Sequence, residues 1–317
     1  MTESAEPSTS AGRSGPSFRR GADGLVTHRW HVTPWLFLLP ALAAIVIMSL
    51  VPFVNTLRLA FTDSTLLRPG TFVGTENFRR LFTDERFATA LLNSTLYTLC
   101  VVPFMVVLPL ILAALVARVG RLAGFFRTTL YLPVVMSSVV VGLIWTNLLD
   151  RRGLVNELLG TLQAVAEPVP FLSDRWLLLF SAMFVTVWTG LGYYMVIYLA
   201  ALAGIDPSLY DAAAVDGAGT VRTFLNVTVP GVRSTMALIG LLSSVAAFRV
   251  FGEIYVLTGG TGGVGGGNLT MTMLIQREGT GLQARTGYAG AISLVMFVVL
   301  GGLLIAQLLM ERRKEKL

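Results

Sequence analysis

Few residues in this chain have the types and spacing that chemistry needs. The two histidines, His28 and His31, both precede the first apolar segment, so neither can serve a zinc site or proton relay inside a membrane. The single cysteine, Cys100, lies within an apolar run, and no disulfide framework can form inside the chain. The only lysines are Lys314 and Lys316. A phosphate-binding loop needs Gly-Lys-Ser/Thr, so ATP hydrolysis by that route is excluded. Gly260–Gly265 formally matches G-x-G-x-x-G. It follows an apolar run and not a strand, and no βαβ unit surrounds it, so it reads as a flexible glycine-rich loop. No Ser-His-Asp set, His-Glu-x-x-His motif or Cys/His cluster is present. The expectation is a chain with no catalytic residue, no metal site and no cofactor of its own.

One charged pair stands apart. Arg249 and Glu253 are four residues apart inside an apolar run, which places them on one face of a continuous helix. Each would be costly alone in hydrocarbon, and intramembrane charges face a cavity or one another. The pair reads either as an ion pair locking its helix or as a polar wall of a cavity.

The elements that must position these residues follow from composition. The chain has 317 residues, 54% hydrophobic and 13% charged, with mean hydropathy +0.71. Soluble domains carry about 25% charge, so the solvent here is mostly lipid. Six apolar runs, 35–57, 92–117, 129–149, 176–203, 232–257 and 289–310, approach the ~20 residues that span a bilayer. Backbone groups in hydrocarbon must be satisfied internally, so the runs are read as helices and the fold as an all-α polytopic membrane protein. Pro40, Pro52, Pro103, Pro109 and Pro133 predict kinks or broken turns. Trp35, Trp145, Trp176 and Trp188 sit mostly near run ends, as interface anchors do. Residues 1–33 are rich in Ser, Gly, Thr, Pro and Arg and read as a disordered tail, not a signal peptide. Residues 311–317 read as a basic tail.

Lys and Arg in the loops set an expected orientation. With the N-terminus cytoplasmic, the inside segments hold thirteen and the outside segments ten, Arg249 being in a span. The net charge of +6 and pI near 9.8 then reflect basic groups beside anionic lipid, with no nucleic acid implied.

A polar island lies between two long apolar runs on the inside, at residues 206–230. Asp206 suits an N-cap and Pro207 the first helical turn. A short Ala-rich helix is predicted over Pro207–Asp216, with Gly217 ending it and a second short helix over about Thr220–Val227. Pro230 opens the next apolar run. Two short helices meeting at a glycine make a compact knob.

This stretch resembles the EAA loop of binding-protein-dependent ABC importer permeases. Ala212, Ala213, Asp216, Gly217, Ala218, Val227 and Pro230 fall in register with that family's pattern, while Asp211 replaces its Glu and Val229 its Leu. Two further patches are similar to sugar permeases of the family. They are Phe72–Phe78 with Phe87, carrying a Gly-x-x-Asn-aromatic pattern, and Tyr255–Gly260.

The resemblance implies a type I importer-like permease fold of six spans in a bacterial cytoplasmic membrane, with both termini cytoplasmic. It implies a homologous second permease subunit, a cytoplasmic ABC ATPase dimer that binds ATP and Mg, and an external solute-binding protein. Residues 211–213, 216–218 and Pro230 would then couple to the ATPase. The implied cargo is a sugar or small oligosaccharide. Ungapped comparison with maltose-type permeases places Ser138, Gly190 and Tyr193 at sugar-contacting positions, with Thr186 where that permease has Asn. Ala247 and Val250 also fall at Asn positions, so the pattern is partly kept. A Tyr ring beside Gly can stack on a sugar face and bond its rim. Arg249 and Glu253 join this set as candidate pathway residues. The alternatives are a non-sugar cargo, such as a glycerophosphodiester or polyamine, and an ion-coupled secondary transporter. The latter would need coupling-ion ligands at mid-membrane and inverted repeats.

Overall fold

A computed structural model describes residues 33–315, all as helices, turns and loops joined by one isolated antiparallel bridge, Thr62 with Phe72. The predicted tail over 1–33 thus lies outside the described residues but for Thr33. The chain divides into two units, Met1–Val54 and Asn55–Leu317. The first holds α1 (Thr33–Ile45), a π turn, Val46–Leu50, and the opening residues of α2 (Val51–Leu59). Pro40 sits inside α1 and Pro52 in the first turn of α2, so neither prevents the run from being helical.

In the second unit α3 (Glu76–Thr83) precedes the long α4 (Glu85–Val116). The next helices are α5 (Ala123–Val135), α6 (Ser138–Leu149) and α7 (Leu154–Thr161). α8 (Arg175–Leu202) leads to the polar stretch, with α9 (Pro207–Val215), α10 (Thr220–Thr223) and α11 (Val229–Gly231). The chain continues through α12 (Arg233–Phe248), α13 (Gly252–Leu257), α14 (Met271–Gly279) and α15 (Thr286–Glu315). Among the described residues, five helical spans are long and apolar enough to cross a membrane, and a sixth is formed if a bent pair counts as one.

The core is built on α4 and α8. Tyr97, Val101 and Met105 of α4 are buried with Ala182, Met195 and Tyr198 of α8. Each tyrosine hydroxyl finds a partner on the facing helix: Tyr97 Oη donates to Ala182 O (2.9 Å), and Tyr198 Oη to Val106 O (2.9 Å). Such bonds between spans satisfy polar groups that hydrocarbon cannot. α5 comes equally close to α8. A Cβ on Gly192 would lie 2.2 Å from Leu130 O, so no larger residue fits there.

Two runs expected as single helices are broken. The third begins earlier, at Ala123, and bends by 96° between α5 and α6, where Met136 and Ser137 are extended. Pro133 lies one turn before the bend. The fifth breaks between Phe248 and Gly252, with Phe251 at φ −142°, ψ −59°. No proline accounts for that break. The last span runs on to Glu315, through most of the segment read as a basic tail.

On the side opposite α9–α11, the loops are folded by side-chain amides. Asn77 Nδ2 donates to Ala60 O (2.9 Å) and Thr62 O (2.8 Å). Asn156 binds Asp150 O and both the N–H and C=O of Val169. The glycine-rich segment, read as a flexible loop, is a chain of hydrogen-bonded turns, including Asn268 N to Gly262 O (2.8 Å). Gly263 has φ +78°, and a Cβ there would meet Asn268 Oδ1 at 2.4 Å, so glycine is required on both counts.

Candidate functional site

The polar stretch at 206–231 folds as its residue types dictate. The Asp206 carboxylate accepts from Ser208 N at 2.9 Å and caps α9, with Pro207 at its first turn. That backbone N–H holds the Asp206 carboxyl below its ordinary range. At the other end Gly217 has φ +70°, Gly217 N donates to Ala214 O (3.1 Å), and Ala218 N donates to Ala213 O (2.9 Å). This pair of bonds is a Schellman cap, which reverses the chain within two residues. The second short helix begins at Thr220 as expected. It then widens to a π turn, Phe224–Thr228, before α11, so Pro230 lies inside a helical path and does not open a run.

The bend presents a surface. Asp211, Ala212, Asp216 and Gly217 are exposed, while Ala213 and Ala218 are half-buried. Leu209, Ala213, Asp216, Arg222, Asn226 and Val227 line a groove of about 240 Å³. Val215 is 88% exposed and Val221 71%, large values for apolar side chains outside the long spans. Bonds within the knob are short-range, such as Thr223 Oγ1 to Ala218 O (3.3 Å) and the Tyr210–Thr228 hydroxyl pair (3.3 Å). The knob is therefore rigid, small-faced and apolar at its rim, which suits docking against another protein.

The candidate pathway residues separate into two groups. Ser138 begins α6, is exposed, and touches Gly252 at the start of α13; a Cβ on Gly252 would lie 3.3 Å from Ser138 Oγ. One turn on, a Cβ on Gly142 would meet Val256 Cβ at 2.6 Å, so α6 and α13 run side by side from break to break. Arg249 and Glu253 flank the fifth-span break. They do not share a helix face, because residues 249–251 are not helical, and they are absent from the four ion pairs among the described residues. Arg249 is exposed and Glu253 half-buried.

Thr186 and Gly190 look elsewhere. Thr186 Oγ1 is 2.6 Å from Tyr97 Oη, and a Cβ on Gly190 would meet Met105 Cε at 2.4 Å, so both serve the α4–α8 contact. Tyr193 is 45% exposed, with its ring edge-on to Tyr194 at 5.2 Å. Beside the fifth-span break, Phe251 and Tyr255 stack at 4.9 Å and 27°, a pair that sequence reasoning did not single out. Its signal is the i, i+4 spacing of two aromatics around Gly252. Exposed hydroxyl, guanidinium and stacked rings around two mid-span breaks are the parts a polar solute needs, where irregular backbone is tolerated only against protein or water. Ala247 and Val250, at the positions where the maltose-type permease has Asn, are buried.

The chain is similar to known proteins along most of its length. The lactose transport system permease protein LacF of Rhizobium radiobacter is 31% identical over 90% of this chain and 96% of its own length. The diacetylchitobiose uptake system permease protein NgcF of Streptomyces coelicolor is 31% identical, over 83% of this chain and 77% of its own. A crystal structure of a bacterial ABC transporter involved in the import of the acidic polysaccharide alginate contains a chain with the same fold. Its TM-score is 0.78 at 25% identity, covering 89% of this chain and 96% of that one. Residues 84–316 match the family described as binding-protein-dependent transport system inner membrane component, and the chain belongs to that family of ABC importer permeases.

Proposed function

We propose that this chain is one transmembrane half of an ATP-driven importer for a sugar or small oligosaccharide. The half is a conduit and coupling device without catalysis of its own. It pairs with a homologous second permease, and an ABC ATPase dimer holding ATP and Mg docks on the cytoplasmic side. A solute-binding protein delivers cargo from outside, and alternating access carries it across. Both termini and the knob lie in the cytoplasm, in keeping with the excess of Lys and Arg in that set of loops.

The observation that carries this reading is the knob: two short helices locked by a Schellman cap, with Asp211 and the apolar Val215 and Val221 left exposed among the described residues. The sugar cargo is supported by the lactose and diacetylchitobiose relatives, by the exposed Tyr193 and Ser138, and by Tyr255 stacked on the half-buried Phe251. The test is uptake of labelled di- and trisaccharides into liposomes carrying the complete complex with its binding protein and ATP. ATP-dependent accumulation is expected. Accumulation of a polyamine or glycerophosphodiester with no sugar uptake would overturn the cargo. Saturable nucleotide crosslinking to the purified chain, free of its ATPase, would overturn the division of labour.

A further inference from the structure

Residues 267–273 turn into the protein from the side opposite the knob. Asn268, Thr270, Met271 and Met273 are all buried. Their position is set by side chains of α4. Asn93 Nδ2 donates to Gly267 O (2.9 Å) and Leu269 O (2.8 Å), and Ser94 Oγ accepts from Met271 N (3.0 Å). Asn93 and Ser94 are both fully buried.

From that anchor the segment reaches the fifth-span break. Thr270 Oγ1 donates to Val250 O (3.0 Å), and Thr272 Oγ1 to Arg249 O (3.3 Å). These are the carbonyls that the break leaves outside the helical ladder. Thr270 Oγ1 also accepts from Met273 N (3.4 Å) and so caps α14. One fully buried hydroxyl thus ties the start of α14 to the break.

We propose that Thr270 and Thr272 are positioning residues that hold the break at 249–251 open. They thereby set where Arg249, Phe251 and Glu253 stand in the pathway. The inference rests on reading this chain as a permease half with that break in its path. The Thr270–Val250 bond is buried, and a carbonyl left unpaired away from water is costly, whereas the Thr272–Arg249 bond is exposed and adds less. Without the two hydroxyls, the simplest repair is ordinary i to i−4 bonding through residues 249–253. No proline stands between Arg249 and Leu257 to prevent it. α12 and α13 would then fuse, turning Arg249 and Glu253 onto one face. Because the far-side segment and the break share Thr270, movement of one moves the other. The two threonines therefore connect the surface facing a delivering protein with the middle of the span.

The test uses the full complex in liposomes, with Cys100→Ser as background. Arg249→Cys supplies a thiol whose rate of modification by a small charged thiosulfonate reports the break. A parallel set keeps Arg249 and measures KM and maximal rate of uptake. Thr270→Val with Thr272→Val should shift the modification rate about tenfold, the factor carried by the buried Thr270 bond alone, and should raise KM for uptake. Thr270→Ser with Thr272→Ser should restore both, which a requirement for threonine packing alone would not. If the valine pair does not assemble, Thr272→Val alone, at a half-buried site, is read in the same way. Unchanged modification in a complex that imports sugar normally overturns the brace and leaves the cargo reading intact. A shifted modification rate, where the unsubstituted complex itself imports no sugar, overturns the cargo reading and leaves the brace.

Discussion

The two polar regions of this chain solve the same problem in opposite ways. Both the knob at 206–231 and the far-side segments at 60–78 and 258–285 interrupt apolar spans and must satisfy their backbone. The far side does so with long-range partners. Asn77, Asn93 and Asn268 each bind carbonyls at least fifteen residues away, and Glu278 is buried against Arg285 at 2.7 Å. The knob uses only its own caps and turns and leaves Asp211, Val215 and Val221 exposed. A region bound to the rest of its chain can transmit position. A region whose hydrogen bonds are local, packed on the core through Tyr210, Phe224 and Val227 but with an exposed outer face, is shaped for a partner. Damage to the first should therefore appear as lost folding, and damage to the second as lost association with the fold intact.

The largest effect is expected at Asn93. Asn93→Ala removes the donor for two carbonyls and should cost about 1–3 kcal/mol for each. The thermal midpoint of the detergent-purified chain should fall, with folded yield. A midpoint equal to wild type would erase the contrast. Asp211→Ala comes next, and acts on assembly alone. Truncating one partner of a desolvated charge pair costs about 2–5 kcal/mol, so ATPase association or coupled transport should weaken while the midpoint stays put. Asp211→Glu, which restores the residue common in the family, should be tolerated. Wild-type coupled transport by Asp211→Ala would remove the knob from the docking surface.

A smaller effect is expected at Gly217. A Cβ there meets nothing within 4 Å, so Gly217→Ala tests backbone conformation alone. A left-handed non-glycine residue costs about 1–2 kcal/mol, and hydrogen exchange at Ala218 should accelerate accordingly. The smallest concerns Asp206. Its folded carboxyl is held below its ordinary range, so the cap is fully present above the unfolded pKa and fades as pH falls through the lower folded one. Amide exchange at Ser208 should rise only in acid. In Asp206→Asn, which caps without titrating, that rise should vanish.

What the sequence disclosed follows the range of the interactions. The six runs and the knob were legible, because hydropathy, an Asp-Pro start and a glycine stop act over a few residues. The third-run bend was foreshadowed by Pro133. The fifth-span break was not, because its stabilising hydroxyls lie some twenty residues downstream, on Thr270 and Thr272. Treating that span as continuous is why Arg249 and Glu253 were placed on one face. Gly190 was given a sugar-contacting position by ungapped comparison; its closeness to Met105 depends on two helices meeting, which no local pattern reveals.

The asparagine clamp bears on how the chain is made. Asn93 and its acceptors are 174 and 176 residues apart, and Tyr288 reaches Asp84 across 204. During synthesis α4 is complete long before either partner leaves the ribosome. Until then the Asn93 and Ser94 side chains sit in an apolar helix without the partners that residues 267–271 supply. The half of the molecule opposite the knob closes only once the last two helical spans are in place. A nascent chain stalled before Gly267 therefore displays buried-type amide and hydroxyl groups within the bilayer, a mark by which membrane quality control can tell it from a finished subunit.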